Sequence, residues 1–194
     1  MKNKSIGFWD VDTQIDFMLP KGALYVKGAE KLLPNLRRLT AFARSNGIPV
    51  VATGDAHAPD DPEFAKFPPH CVKGSAGAKK VPQTSFPAQT FLEKQTFDIF
   101  DRPEADALLE RTGIREWVVY GVATDYCVRA AALGLAKRGC RVTVVSDAVE
   151  GIAPDTIRKA VVEMEAAGAR FQTTAAVLAQ LAPRKRKLVE KQAR

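Results

Sequence analysis

Short apolar runs alternate with amphipathic segments along most of the chain, and this alternation constrains the fold more than any other feature. The runs typical of buried strands lie at 6–11, 48–54, 116–122 and 141–149. Segments such as 29–47 and 154–168 place apolar residues at helical spacing and end at a glycine. The pattern predicts an α/β fold over residues 1–182: a single domain of three αβα layers around a six-stranded parallel sheet.

Residues 183–194 form a separate basic tail. They carry six lysines and arginines against one glutamate, and so account for five of the seven net positive charges. A basic segment can contact nucleic acid, whereas a short isolated terminus is usually solvated. We favour the solvated terminus and predict no nucleic-acid partner.

The cysteine content and the N-terminus indicate where the protein resides. Three cysteines form an odd, sparse set, which argues against a disulfide framework and for a reducing compartment. The first apolar run is interrupted by Asp10 and Asp12, unlike a signal peptide. No run approaches the roughly 20 apolar residues of a membrane span. We therefore predict a cytoplasmic protein that does not insert into a membrane.

Residues able to do chemistry follow three of the predicted strands. Asp12 ends the first strand, and Asp55 and His57 end the second. Cys127 comes shortly after the strand at 116–122. Because the carboxyl ends of parallel strands meet at one edge of a sheet, we expect these residues to form one site there.

Cys127 lies in "GVATDYCV", where a strand ends and a helix starts. The exposed N–H groups of a helix start create a positive field, which favours a reactive thiolate. A buried cysteine more often acts only as a small apolar side chain. The position makes Cys127 a candidate nucleophile.

The segment 55–90 shows no regular period and contains both histidines of the chain. A loop this long in a compact domain is usually functional or disordered. Asp55 and His57 are two residues apart, so in an extended chain both can reach one ion. Together with Glu63 and His70 they suit a divalent metal ion, Zn²⁺, Fe²⁺ or Mn²⁺. The alternative is a set of solvated loop residues.

If the histidines bind a metal, the base that deprotonates Cys127 must be an acidic residue. Asp12 can accept the thiol proton. Lys94 lies in the apolar run "FLEKQTF", where an unpaired lysine is costly, and it can hold Asp12 and favour thiolate. The alternatives are a turn aspartate and a lysine that extends along an exposed strand edge.

These motifs together resemble the nicotinamidases of the isochorismatase-like cysteine hydrolases. The resemblance covers about residues 5–175. It is carried, in the family's order, by "DTQIDF", "DAH", "FPPHCVKGSAGA", the lysine of "FLEKQTF" and "GVATDYCV". It implies a catalytic triad of Asp12, Lys94 and Cys127. It also implies metal ligands at Asp55, His57 and His70.

The resemblance implies further parts of the site. Many nicotinamidases have another histidine in the metal loop; here Glu63 stands near that place, and we predict it as a fourth ligand. A pocket for a flat ring would be walled by Phe17, Phe67 and Tyr126. The Val122–Ala123 peptide bond would be cis, and the backbone N–H groups of Ala123 and Cys127 would form the oxyanion hole.

The implied function is metal-dependent hydrolysis of nicotinamide to nicotinate and ammonia through a thioester, a step of NAD salvage. The partner would be a small-molecule amide. The chain could also form a homo-oligomer. One alternative is a cysteine hydrolase of another small amide, such as a carbamoyl or ureido compound. Another is a non-catalytic binding module on this fold. A dinucleotide-binding protein is disfavoured, because no G-x-G-x-x-G follows the first strand.

Overall fold

The computed structural model describes residues 6–182. The basic segment 183–194 lies outside the described residues, so the domain boundary predicted after residue 182 stays a prediction.

Six strands form one sheet in which every neighbouring pair is parallel. The strands are β1 (Ile6–Val11), β2 (Val50–Asp55), β3 (Thr90–Lys94), β4 (Glu116–Val122), β5 (Arg141–Glu150) and β6 (Arg170–Gln172). Their order across the sheet is β3-β2-β1-β4-β5-β6. The predicted six-stranded parallel sheet is confirmed.

Helices connect the strands. They are α1 (Ile15–Met18), α2 (Leu33–Asn46), α3 (Pro103–Thr112), α4 (Arg129–Lys137), α5 (Pro154–Ala166) and α6 (Thr174–Leu181). A π-helical turn, Thr124–Val128, leads directly into α4. Helix α2 has Pro34 in its first turn and ends at Gly47, with φ 62°, where the sequence predicts its end.

Helices cover both faces of the sheet. Because successive strand residues point to opposite faces, each face has its own apolar cluster. Trp9 and Trp117 belong to the apolar cluster that includes residues of α3, α4 and α5. Phe8 and Val118 belong to the cluster that includes residues of α1, α2 and α6. The predicted three-layer α/β architecture is confirmed.

The segment 55–90 has little regular structure, as its sequence indicates. Two short 3₁₀ helices, Pro62–Ala65 and Pro82–Thr84, interrupt it. It begins at the carboxyl edge of the sheet, where β2 ends at Asp55, and returns to the opposite edge, where β3 begins at Thr90. Among the described helices, none is long and apolar enough to cross a membrane.

Candidate active site

Asp12 directly follows β1 and has a left-handed backbone conformation, with φ 50°. Its side chain is buried between the ends of neighbouring strands. The Thr53 hydroxyl of β2 donates to Asp12 Oδ1 at 2.6 Å and fixes the carboxylate. The local fold thus directs a buried acid to the edge where the predicted site lies.

Lys94, the last residue of β3, connects the acid to the thiol. Its Nζ lies 2.8 Å from Asp12 Oδ2 and 3.4 Å from Cys127 Sγ, and it also contacts the Asp55 carboxylate. Burial alone would lower the pKa of Lys94, but the charges of Asp12 and Asp55 contribute to raising it well above its ordinary value. The amine therefore stays protonated and holds its neighbours together.

Cys127 lies in the π-helical turn and is 8% exposed. Burial raises the pKa of its thiol well above the ordinary value, and the opposing effect of Lys94 does not compensate. The thiolate expected from the helix start is therefore not the resting form, because desolvation outweighs the positive field. Cys127 rests as a neutral thiol and needs a base.

Asp12 has the properties of that base. Burial and the nearby charge of Asp55 raise the pKa of its carboxyl, and the opposing effect of Lys94 does not cancel the rise. Within residues 6–182, no donor reaches the buried Oδ2 with hydrogen-bond geometry, although Lys94 Nζ is close. A basic oxygen beside the thiol can accept its proton.

The backbone beside Cys127 has the form that the resemblance implies. The Val122–Ala123 peptide bond is cis. Val122, Ala123 and Cys127 all line the same pocket. Ala123, whose N–H is predicted to form the oxyanion hole together with that of Cys127, therefore lies at the same pocket as the thiol.

Three of the four predicted metal ligands converge. The Nε2 atoms of His57 and His70 lie 3.8 Å and 3.9 Å from Asp55 Oδ2. The remaining ring nitrogens are already paired, His57 Nδ1 with Asp61 at 2.9 Å and His70 Nδ1 with the Pro68 carbonyl at 2.8 Å. These partners leave both Nε2 atoms free to bind a metal.

The residues present fit a divalent cation. His57 Nε2 is buried and has no hydrogen-bond partner among the described residues. The carboxylates of Asp55 and Asp61 raise the pKa of His57 to about 9, which reflects surroundings that favour positive charge. Sequence reasoning missed Asp61, which orients His57; its signal was an acid four residues after a candidate ligand.

Glu63 comes close to one member of this trio, His57, without joining the group of three. It lies on the short helix Pro62–Ala65 and lines the pocket together with Asp55 and His70. A carboxylate oxygen of Glu63 can approach His57 and Asp61, but Glu63 is not part of the group that Asp55, His57 and His70 form. Its predicted role as a ligand stays a prediction.

The predicted aromatic residues line the pocket. They are Phe17, Phe67 and Tyr126. Phe97 also lines it, with its ring centroid 5.1 Å from that of Tyr126 and 6.3 Å from that of Phe67. Sequence reasoning missed Phe97, although it lies three residues after Lys94. The pocket mouth is thus more aromatic than predicted.

Gln14 is a second residue that sequence reasoning missed. Its side-chain Nε2 donates to the Asp55 carbonyl at 2.8 Å, and its Oε1 accepts from the Asp55 N–H at 2.7 Å. The amide therefore pairs with the backbone of Asp55 as a neighbouring strand would and fixes its position. The only signal in the sequence was its place in "DTQIDF", two residues after Asp12.

Two relatives are similar to this chain in sequence over most of its length. The chain is 33% identical to the nicotinamidase/pyrazinamidase of Mycobacterium tuberculosis, over 81% of this chain and 92% of that protein. It is 25% identical to a probable inactive nicotinamidase of Arabidopsis thaliana, over 84% and 89%.

The solved structures agree with the fold. The pyrazinamidase of Pyrococcus horikoshii in complex with zinc has a TM-score of 0.82 at 30% identity, covering 87% of this chain and 99% of that chain. The N-carbamoylsarcosine amidase of Thermoplasma acidophilum has a TM-score of 0.77 at 29% identity, covering 88% and 96%.

Family assignment rests on most of the chain. Residues 11–176 match the family described as the isochorismatase domain. This range includes the candidate triad, the converging histidines and the aromatic pocket. The resemblance inferred from the sequence motifs is therefore confirmed, and the chain belongs to the isochorismatase family.

Proposed function

We propose that this protein is a metal-dependent cysteine amidohydrolase that converts nicotinamide to nicotinate and ammonia. The observation that carries the proposal is the contact of one buried lysine, Lys94, with both Asp12 and Cys127. An acid and a thiol held by a shared cation form a nucleophile with its own base. Amide hydrolysis on this fold is supported by the relatives and the solved structures.

In the first half of the reaction, Cys127 attacks the carboxamide carbon. As the C–S bond forms, the thiol proton passes to Asp12. The backbone N–H groups of Ala123 and Cys127 stabilise the oxyanion. Asp12 then gives the proton to the amide nitrogen, the C–N bond breaks, and ammonia leaves a thioester on Cys127.

In the second half, water hydrolyses the thioester. Asp12 takes a proton from water while the water oxygen attacks the carbonyl carbon. The C–S bond breaks, and Asp12 returns the proton to the Cys127 sulfur. The carboxylic acid leaves, and both residues regain their starting protonation states.

Asp55, His57 and His70 would hold the metal ion. When bound, the ion supplies a Lewis-acid position that can orient the pyridine nitrogen, directly or through water. His57 and His70 present their Nε2 atoms to this position because Asp61 and the Pro68 carbonyl hold their other nitrogens.

The pocket favours a flat aromatic amide. Rings from Phe17, Phe67, Phe97 and Tyr126 line it. Aromatic side chains bind planar rings through stacking and edge contacts. Asp55 and His70 of the metal-ligand trio line the same pocket. A ring that carries a ligating nitrogen could therefore contact the aromatic side chains and the metal ion together.

A second candidate is hydrolysis of a carbamoyl or ureido compound. The similarity to the N-carbamoylsarcosine amidase supports this alternative. One plant relative is described as a probable inactive nicotinamidase, so family membership alone does not carry the argument for turnover. Here the complete Asp12, Lys94 and Cys127 set supports catalysis over a binding module.

The test is ammonia release from a panel of small amides, with bound metal measured on the same protein sample. The panel contains nicotinamide, pyrazinamide, benzamide and a carbamoyl amino acid. We expect the highest kcat/KM with nicotinamide and a clear loss with benzamide, which lacks the ring nitrogen. A preference for the carbamoyl compound would favour the second candidate, and no ammonia from any amide would refute the proposal.

A further inference from the structure

The carboxylate of Asp125 connects the turn that carries Cys127 to the loop between β5 and α5. The backbone N–H of Ile152 donates to it, at 3.0 Å from Oδ1 and 3.3 Å from Oδ2. The Thr156 hydroxyl also donates to Oδ2. Because Asp125 is buried, these donors replace the water that its carboxylate has lost.

The loop that receives these contacts forms part of the substrate pocket. The Ile152 side chain lines the pocket with Cys127, yet it is 55% exposed. A segment with so little burial is weakly constrained by packing. Gly151 lies so close to Asp125 that an added Cβ would come within 2.8 Å of Oδ1. The carboxylate and the loop backbone are therefore in direct contact.

We propose that Asp125 is a positioning residue that holds Ile152 in place as a wall of the substrate pocket. This inference rests on the proposed function, since the wall matters for an amide bound in front of Cys127. Asp125 is not among the described residues that line this pocket. It acts through Ile152, so its loss weakens substrate binding and spares the chemical step.

The chain contains a matched control for this contact. Asp147 Oδ1 accepts hydrogen bonds from the Thr174 N–H at 2.6 Å and from the Thr174 hydroxyl at 2.7 Å. The chemistry is the same as at Asp125, with a backbone N–H and a threonine hydroxyl as donors. Neither Asp147 nor Thr174 is among the described residues that line the pocket. Losing this contact should affect stability but not substrate binding.

The first measurement is steady-state kinetics on three variants. Asp125→Ala should raise KM about 10-fold and change kcat less than about 2-fold. Asp125→Asn should restore KM, because its oxygen accepts from Ile152 while its NH₂ donates to the Thr156 hydroxyl. That hydroxyl can turn to the Ala153 carbonyl, 3.0 Å away. Asp147→Ala should leave KM unchanged.

A double-mutant cycle tests whether Ile152 transmits the effect. In an Ile152→Ala background, Asp125→Ala should raise KM by less than about 2-fold, because the wall is already missing. An undiminished effect in that background would overturn the inference.

Amide hydrogen exchange gives a readout that needs no turnover. Peptides covering residues 150–156 should exchange about 10-fold faster in Asp125→Ala and at the wild-type rate in Asp125→Asn and Asp147→Ala. KM is measured with whichever amide of the panel gives the highest kcat/KM. If nicotinamide is not hydrolysed but another amide is, only the proposed function is refuted, and the role of Asp125 is still tested. Unchanged exchange, unchanged KM despite faster exchange, or a loss confined to kcat would each overturn the role of Asp125.

Discussion

Lys94 and Asp12 form an ion pair in the interior, with Nζ 2.8 Å from Oδ2 and both side chains 1% exposed. Lys94 also contacts Asp55, so one ammonium group lies between two buried carboxylates. Removing the ammonium group would leave two buried carboxylates close together with no cation between them. The pair therefore contributes to folding as well as to the reaction.

We expect Lys94→Met to lower the free energy of unfolding by about 3–5 kcal/mol, the usual cost of breaking a buried pair by removing one partner. Urea denaturation measures the change. The control is Lys73→Met, which breaks an exposed pair with Glu93 at 2.8 Å and should change stability by less than about 1 kcal/mol. Equal effects at the two lysines would show that burial does not matter at Lys94.

Cys127→Ala should reduce turnover by more than about 1,000-fold, because no other group can form the thioester. Its circular dichroism spectrum should match that of the wild type. Iodoacetamide should label Cys127 before Cys71, since Cys127 lines the pocket and Cys71 is fully buried. Mass spectrometry of the labelled peptides gives the order, and turnover retained in Cys127→Ala would contradict the nucleophile assignment.

Asp12→Asn should separate the two effects of the carboxylate on the thiol. Turnover should fall about 100- to 10,000-fold because the general base is lost. The pKa of the Cys127 thiol should also fall, because the negative charge of Asp12 adds to the effect of burial in raising that pKa. A lower thiol pKa means more thiolate near neutral pH, so alkylation of Cys127 should become faster. Slower alkylation in Asp12→Asn would show that Asp12 activates the resting thiol.

Much of the fold was visible in the sequence, because strand and helix periods are local properties. The buried strand Ile6–Val11 and the helix that ends at Gly47 appear where the pattern placed them. The carboxyl ends of parallel strands lie at one edge of the sheet, so Asp12 and Cys127 were expected to lie close together there. These inferences need only the order of elements along the chain.

What the sequence did not show depends on contacts between distant segments. The helix start at Cys127 indicated a thiolate, but the burial that raises its pKa becomes visible only when the strands and helices pack around it. Phe97 and Gln14 act through neighbours far along the chain, Tyr126 and Asp55. No periodicity or spacing encodes such pairings.

The site formed by Asp55, His57 and His70 should make turnover depend on a bound divalent ion. Chelation should abolish turnover, and adding back a divalent ion should restore it. His70→Ala should remove most bound metal, because it deletes one of the three converging ligands. Metal content is measured by atomic emission and affinity by competition with a chromogenic chelator, so neither readout depends on turnover.

Glu63→Ala distinguishes a fourth ligand from a carboxylate that only lines the pocket. As a ligand or as a support for one, Glu63 should contribute at least about 10-fold in metal affinity. Because carboxylate is a harder ligand than imidazole, its loss should weaken Mn²⁺ and Fe²⁺ binding more than Zn²⁺ binding. Asp60→Ala, at an exposed acid of the same loop, is the control and should leave affinity unchanged. Wild-type affinity and metal preference in Glu63→Ala would show that Asp55, His57 and His70 supply all the protein ligands.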